Sequence, residues 1–70
     1  MARKFVKFIG DLDALLLNLP EQAVLREFFI KFNKFELMGE ENGFLEIFCK
    51  IAESHHYFYI LPNDVEPYEE

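Results

Sequence analysis

Apolar residues recur through residues 3–19 at the spacing of a helix. Phe5, Phe8, Ile9, Leu12, Leu15, Leu16 and Leu19 fall within one arc, and Lys4, Lys7, Asp11 and Asn18 lie opposite. A strand over residues 3–9 separates no polar face, because Phe5 and Ile9 point one way and Val6 and Phe8 the other. The pattern therefore predicts a first helix over residues 3–19. Gly10 weakens such a helix by about 1 kcal/mol relative to Ala. The alternative is a break at Gly10 with Asp11 as a fresh N-cap. Pro20 disfavours helical geometry at Leu19 and suits the first turn of a second helix, which runs to about Asn33. Leu25, Phe28, Phe29 and Phe32 make its apolar stripe, and Glu27 and Lys31 form an i, i+4 pair in the favourable order. Ile30 falls on the outer face between Arg26 and Lys34. The two segments predict an αα-hairpin.

Beyond Lys34 the period shortens. Phe44, Ile47, Phe48 and Ile51 fit a helix, but Leu45, Ile47, Cys49 and Ile51 equally fit one face of a strand. Context decides for the strand. Residues 56–61 are rich in aromatic side chains, include Ile60, and end at Pro62 and Asn63. A lone strand leaves its backbone groups unpaired, so it needs neighbours, and residues 35–38 and 44–52 can supply them. Asn42-Gly43 is a strong hairpin turn signal and Glu53-Ser54 a weaker one. The expected fold is α+β, with an N-terminal αα-hairpin packed on a three-stranded antiparallel sheet. The alternative is mostly α, with three helices and an extended C-terminal tail. In the sheet reading Phe35, Leu37, Leu45, Ile47, Cys49, Ile51, Phe58 and Ile60 face the helices. Glu36, Met38, Glu46, Phe48, Lys50, Tyr57 and Tyr59 face outward. Residues 1–62 read as one small domain and residues 63–70 as an acidic extended tail.

Composition narrows what such a fold can do. At 70 residues the chain is one domain with a thin stability margin, and its single cysteine, Cys49, closes no internal disulfide. Stability must come from apolar packing, an oligomer or a partner. Nine Phe, nine Leu, five Ile, three Val and two Met exceed what so small an interior can hide, which predicts a cluster of apolar side chains at the surface. The charge is uneven. Residues 1–34 hold six Lys/Arg and four Asp/Glu, whereas residues 35–70 hold one Lys and nine Asp/Glu. The acidic half also carries Phe35, Phe44, Phe48, Tyr57, Phe58, Tyr59 and Tyr68. Such a surface suits a basic protein and repels nucleic acid and anionic lipid. The longest clean apolar run near the start, Ala14–Leu17, is far short of a membrane span or a signal core, so a cytoplasmic location is expected.

Candidate chemistry is sparse. Ser54 lies beside His55 and His56, but sequence neighbours point apart and make no dyad. Cys49 falls among apolar residues and reads as core. The adjacent histidines lack the further ligands of a metal site, and Gly10, Gly39 and Gly43 match no phosphate loop. Arg3, Lys4 and Lys7 read as the soluble face of a helix. No enzyme, cofactor, metal or direct nucleic-acid partner is expected. The expected function is that of a small acidic inhibitor, occupying a basic, nucleic-acid-handling surface of a larger protein. Carboxylates would stand in for phosphates and rings for bases. The expected contacts are Glu36, Glu40, Glu41, Glu46, Phe48, Tyr57, Tyr59, Asp64 and Glu66. In size and composition the chain resembles anti-restriction and anti-CRISPR proteins of phages and mobile elements, though no motif carries the likeness. The alternative is a self-associating structural or assembly subunit, for instance a homodimer.

Overall fold

Backbone pairing draws most of the chain into one sheet. The computed structural model describes residues 3–69. Phe5–Phe8 form β1, Leu12–Leu16 α1, Gln22–Lys31 α2, Phe35–Glu41 β2, Phe44–Ile51 β3, Ser54–Ile60 β4 and Val65–Pro67 β5, with a 3-10 turn at Pro62–Asp64. Neighbouring strands are all antiparallel, in the order β4-β3-β2-β1-β5. Two short helices cover one face. The molecule is thus mainly sheet, which corrects both the αα-hairpin on three strands and the three-helix alternative.

The correction falls at the two ends of the chain. Residues 3–19 are not one helix. Val6 and Phe8 point into the core, and Phe5 lies on the other side of the sheet beneath cations: the Arg3 guanidinium sits 5.2 Å from its ring centre and the Lys34 ammonium 4.6 Å. With Phe5 beside Lys7 on its outer face, so short a strand shows no clean alternation, which is why the pattern imitated a helix. The chain breaks at Gly10, where a Cβ would lie 2.8 Å from Asp64 Cγ and 2.9 Å from the Phe8 ring. Asp11 then caps α1, its Oδ1 accepting from the Ala14 N–H at 3.2 Å. At the other end, Val65–Pro67 pair with β1 through Phe8↔Val65, Lys7↔Glu66 and Val6↔Pro67. The Ile9 N–H donates to the Asp64 carbonyl at 2.7 Å and the Tyr68 N–H to the Phe5 carbonyl at 3.0 Å, extending this seam.

The middle of the chain follows the alternation of its residues. β2 turns into β3 at Asn42-Gly43, both at positive φ (54° and 82°), as a tight hairpin requires. β3 turns into β4 at residues 52–53, one position before the turn expected from the sequence, with Ala52 at φ 55°. A bulge at Met38 shifts the register between Leu37 and Gly39. Phe35, Ile47, Cys49, Phe58 and Ile60 are buried on the helix side, and Leu37, Leu45 and Ile51 pack around them.

Phe35 is the centre of the core. Fully buried, it packs 4.7 Å from the Phe29 ring, 5.4 Å from Phe28 and 6.2 Å from Phe58, centre to centre. Leu16 of α1 and Leu25 and Phe29 of α2 complete the layer. Phe32, which its spacing puts in the apolar stripe of the second helix, caps the C-terminus of α2 and is 61% exposed. Asn33 follows with φ 45°. Its side-chain Oδ1 accepts from the Phe8 N–H at 2.9 Å and its Nδ2 donates to the Phe8 carbonyl at 3.0 Å. The backbone ladder between β1 and β2 pairs Phe5 with Glu36 and Val6 with Phe35. Asn33 thus carries the ladder to Phe8 with a side-chain amide, at the point where the main chain leaves α2 and has not yet entered β2.

Candidate protein-binding face

The sheet face opposite the helices gathers most of the candidate residues. Register sets Glu36 beside Phe48, Phe48 beside Tyr57, and Glu46 beside Tyr59, all on this face. Phe48 is central, with the Tyr57 ring 5.0 Å away and the His55 ring 5.4 Å away. Tyr57 and Tyr59 are 52% and 57% exposed, so these rings are presented to solvent. The Tyr59 hydroxyl donates to Glu46 Oε2 at 3.0 Å, and the carboxylate raises the tyrosine pKa by hydrogen bond and charge.

The charge that is segregated along the sequence is interleaved in space. β1 brings N-terminal cations between β2 and β5. Arg3 grips Glu36 with two bonds, Nε to Oε2 at 3.0 Å and Nη2 to Oε1 at 2.7 Å. This pairing holds the Glu36 carboxyl below its usual range and raises the Arg3 guanidinium. Lys7 meets Glu66 at 2.9 Å, which raises the Lys7 pKa. Glu36 and Glu66 are therefore balanced within the chain. Arg3 and Lys7 are thus engaged by acids from the C-terminal half of the same chain.

The remaining candidates separate. Glu40 and Glu41 are adjacent but diverge: register sets Glu41 beside Phe44 on the outer face and Glu40 beside Leu45 on the helix side. Glu41, Asn42, Phe44 and Tyr59 border a shallow recess of about 320 Å³. Asp64 lies elsewhere, in the 3-10 turn, packed against Gly10 and near Phe8 and Asp11. The sequence reading missed Phe44, 42% exposed, although the Asn42-Gly43 turn fixes it on the same face as Glu46 and Phe48. It also missed Arg3, Lys7 and Lys34, which carry no signal of sheet placement once β1 is read as helix.

The reactive side chains are dispersed. Cys49 is buried, and desolvation pushes its thiol up to about 11. His55 stands beside Phe48 on the outer face, whereas His56 sits opposite Cys49 on the helix side. Among the described residues no group of three or more His, Cys, Asp or Glu is placed to hold a metal ion. Among them also, no helix is long and apolar enough to cross a membrane. No protein-family model matches the chain, and comparison with curated proteins and with solved structures returned no significant match.

Proposed function

We propose that this chain is a non-enzymatic binding protein that lays the outer face of β2–β4 on a basic surface of a larger protein and occludes it. One observation carries the reading. Phe44, Phe48, Tyr57 and Tyr59 stand on a sheet face without helices, interleaved with Glu41 and Glu46. Large rings in a contiguous exposed patch are the side chains that anchor interfaces. The net charge of −6 favours encounter with a basic partner. With Glu36 and Glu66 paired to Arg3 and Lys7, the other carboxylates on this face of β2 and β3, Glu41 and Glu46, lie toward the β2–β3 turn. A groove that handles nucleic acid offers both complements, cations for the carboxylates and apolar slots for the rings.

Immobilised protein tests this in a lysate of its own cells, with the Tyr57→Ala/Tyr59→Ala variant in parallel. Anchoring by either ring predicts a basic partner on the native protein, released by salt and by competing nucleic acid, and bound about thirtyfold more weakly by the variant. A partner held equally by both proteins, or one indifferent to salt and nucleic acid, would refute the reading.

A further inference from the structure

We propose that β4 is a pairing edge for a second copy of this chain, joined antiparallel about a two-fold axis at Tyr57. The inference is independent of the basic partner. It begins with the backbone. A two-residue turn makes its flanking residues, Ile51 and Ser54, a hydrogen-bonded pair, and pairs then alternate along an antiparallel ladder. His56, Phe58 and Ile60 therefore bond to β3. The amides and carbonyls of His55, Tyr57 and Tyr59 point the other way, off the edge of the sheet.

The two edges of this sheet are treated differently. β5 is only three residues long, ends in Pro67, and has Glu66 tied to Lys7. These features discourage strand addition. β4 spans Ser54–Ile60 with no proline, no lysine and no carboxylate. Nothing within it blocks an added strand, and its register with β3 is unbroken by any bulge. A sheet with one receptive edge closes as a pair and does not grow into a filament.

The sequence of β4 also suits itself. Centring the axis on Tyr57 places Tyr57 against its twin and His55 against Tyr59 of the other copy. Every edge-facing amide then meets a carbonyl across the axis. No ionised carboxylate or ammonium is set against its like, since β4 carries neither. Leu19, Pro20, Glu21, Leu25, His56 and Phe58 border a groove of about 210 Å³ along the same edge, which His55 and Tyr57 also line. Pairing sets this groove against its counterpart and removes apolar wall from water.

Sedimentation equilibrium and amide exchange test the proposal on the full chain. The expected result is a reversible dimer whose formation slows exchange at the His55, Tyr57 and Tyr59 amides. Exchange at His56, Phe58 and Ile60 is slow in monomer and dimer alike. Tyr57→Lys and Tyr57→Glu should each weaken the dimer about tenfold or more, by setting like charges against each other at the axis. Mixing the two variants should restore it as a heterodimer. Because Tyr57 is half exposed on the outer face, both variants should keep the native circular dichroism. A chain that stays monomeric at millimolar concentration overturns the proposal. So does a dimer indifferent to both substitutions, or one that leaves the three edge amides in fast exchange.

Discussion

Asn33 offers the sharpest test of how this fold is held together. Two requirements meet there: a left-handed backbone at φ 45°, and a side chain that serves both backbone groups of Phe8. Each part-buried hydrogen bond contributes about 1 kcal/mol, so Asn33→Gly, which keeps the backbone freedom, should cost about 2 kcal/mol. Asn33→Ala loses the same bonds and must also adopt a left-handed conformation, a further 1–2 kcal/mol or so, for a total of about 3 to 4 kcal/mol. A chain of this length is stable by only about 3 to 10 kcal/mol, so the alanine variant lies near the threshold of folding. Urea denaturation followed by circular dichroism reads the difference. With a slope of about 1 kcal/mol/M, the glycine variant's midpoint should fall by about 2 M and the alanine variant's by more. The Phe8 amide should also exchange faster in both. A glycine variant within about 0.5 kcal/mol of the native chain would mean that the side-chain rung carries no weight. Coincident glycine and alanine variants would mean that the left-handed backbone is not why Asn occupies the position.

Three further outcomes follow from the same geometry. Ala52 holds φ 55° in the β3–β4 turn, so Ala52→Gly should stabilise by about 1 kcal/mol and raise the thermal midpoint by about 4–8 °C in a calorimetric scan. Gly10→Ala puts a methyl group into Asp64 and Phe8, and should cost about 1–3 kcal/mol in urea and loosen the Ile9 N–H bond to Asp64 in amide exchange. Cys49 ionises only near 11 when folded, against 9.0 for an unperturbed thiol, so folding favours the protonated form. Its share of stability is whole below pH 9 and is lost as the pH rises toward 11; Cys49→Val should flatten that part of a stability profile.

What could be read from the sequence depended on how each strand is used. Apart from the bulge at Met38 and the polar Glu40 and His56 on the helix side, β2, β3 and β4 alternate, apolar toward the helices and polar or aromatic outward, and Asn42-Gly43 sets the β2–β3 turn. Their inner and outer faces were therefore legible. β1 was not. It is four residues long, carries Phe5 as well as Lys7 on its outer face, and is followed by leucines whose spacing continues a helical pattern. Its outward Phe5 is tolerated because Arg3 and Lys34 lie over the ring, an arrangement that no periodicity encodes. β5 was hidden for the opposite reason. Val65–Pro67 has almost no apolar signal, and its place depends on pairing with a strand at the far end of the chain. Missing β1 also misplaced the charge, since only a strand between β2 and β5 brings Arg3 to Glu36 and Lys7 to Glu66.

The division of the outer face bears on where contact occurs. On the β1 side, Arg3 and Lys34 cover Phe5, Lys34 also covers Tyr68, and the carboxylates are paired. On the β3–β4 side, Phe48 and Tyr57 pack on each other, and Glu46 fixes the Tyr59 hydroxyl. The rings on this side are at once exposed and held by neighbours, so they would lose less freedom on binding than free ones, which suits the proposed docking face. It is also the half that adjoins the β4 edge. Pairing at that edge would set two such ring clusters side by side in a continuous sheet. A partner long enough to cross the axis would then engage both copies at once, and the second contact would form at the high effective concentration set by the first. Face and edge therefore reinforce one another. Weakening the edge with Tyr57→Lys should reduce apparent affinity for a spanning partner more than the loss of one ring explains. Mixing with Tyr57→Glu, which restores the pair without restoring the ring, should recover the difference.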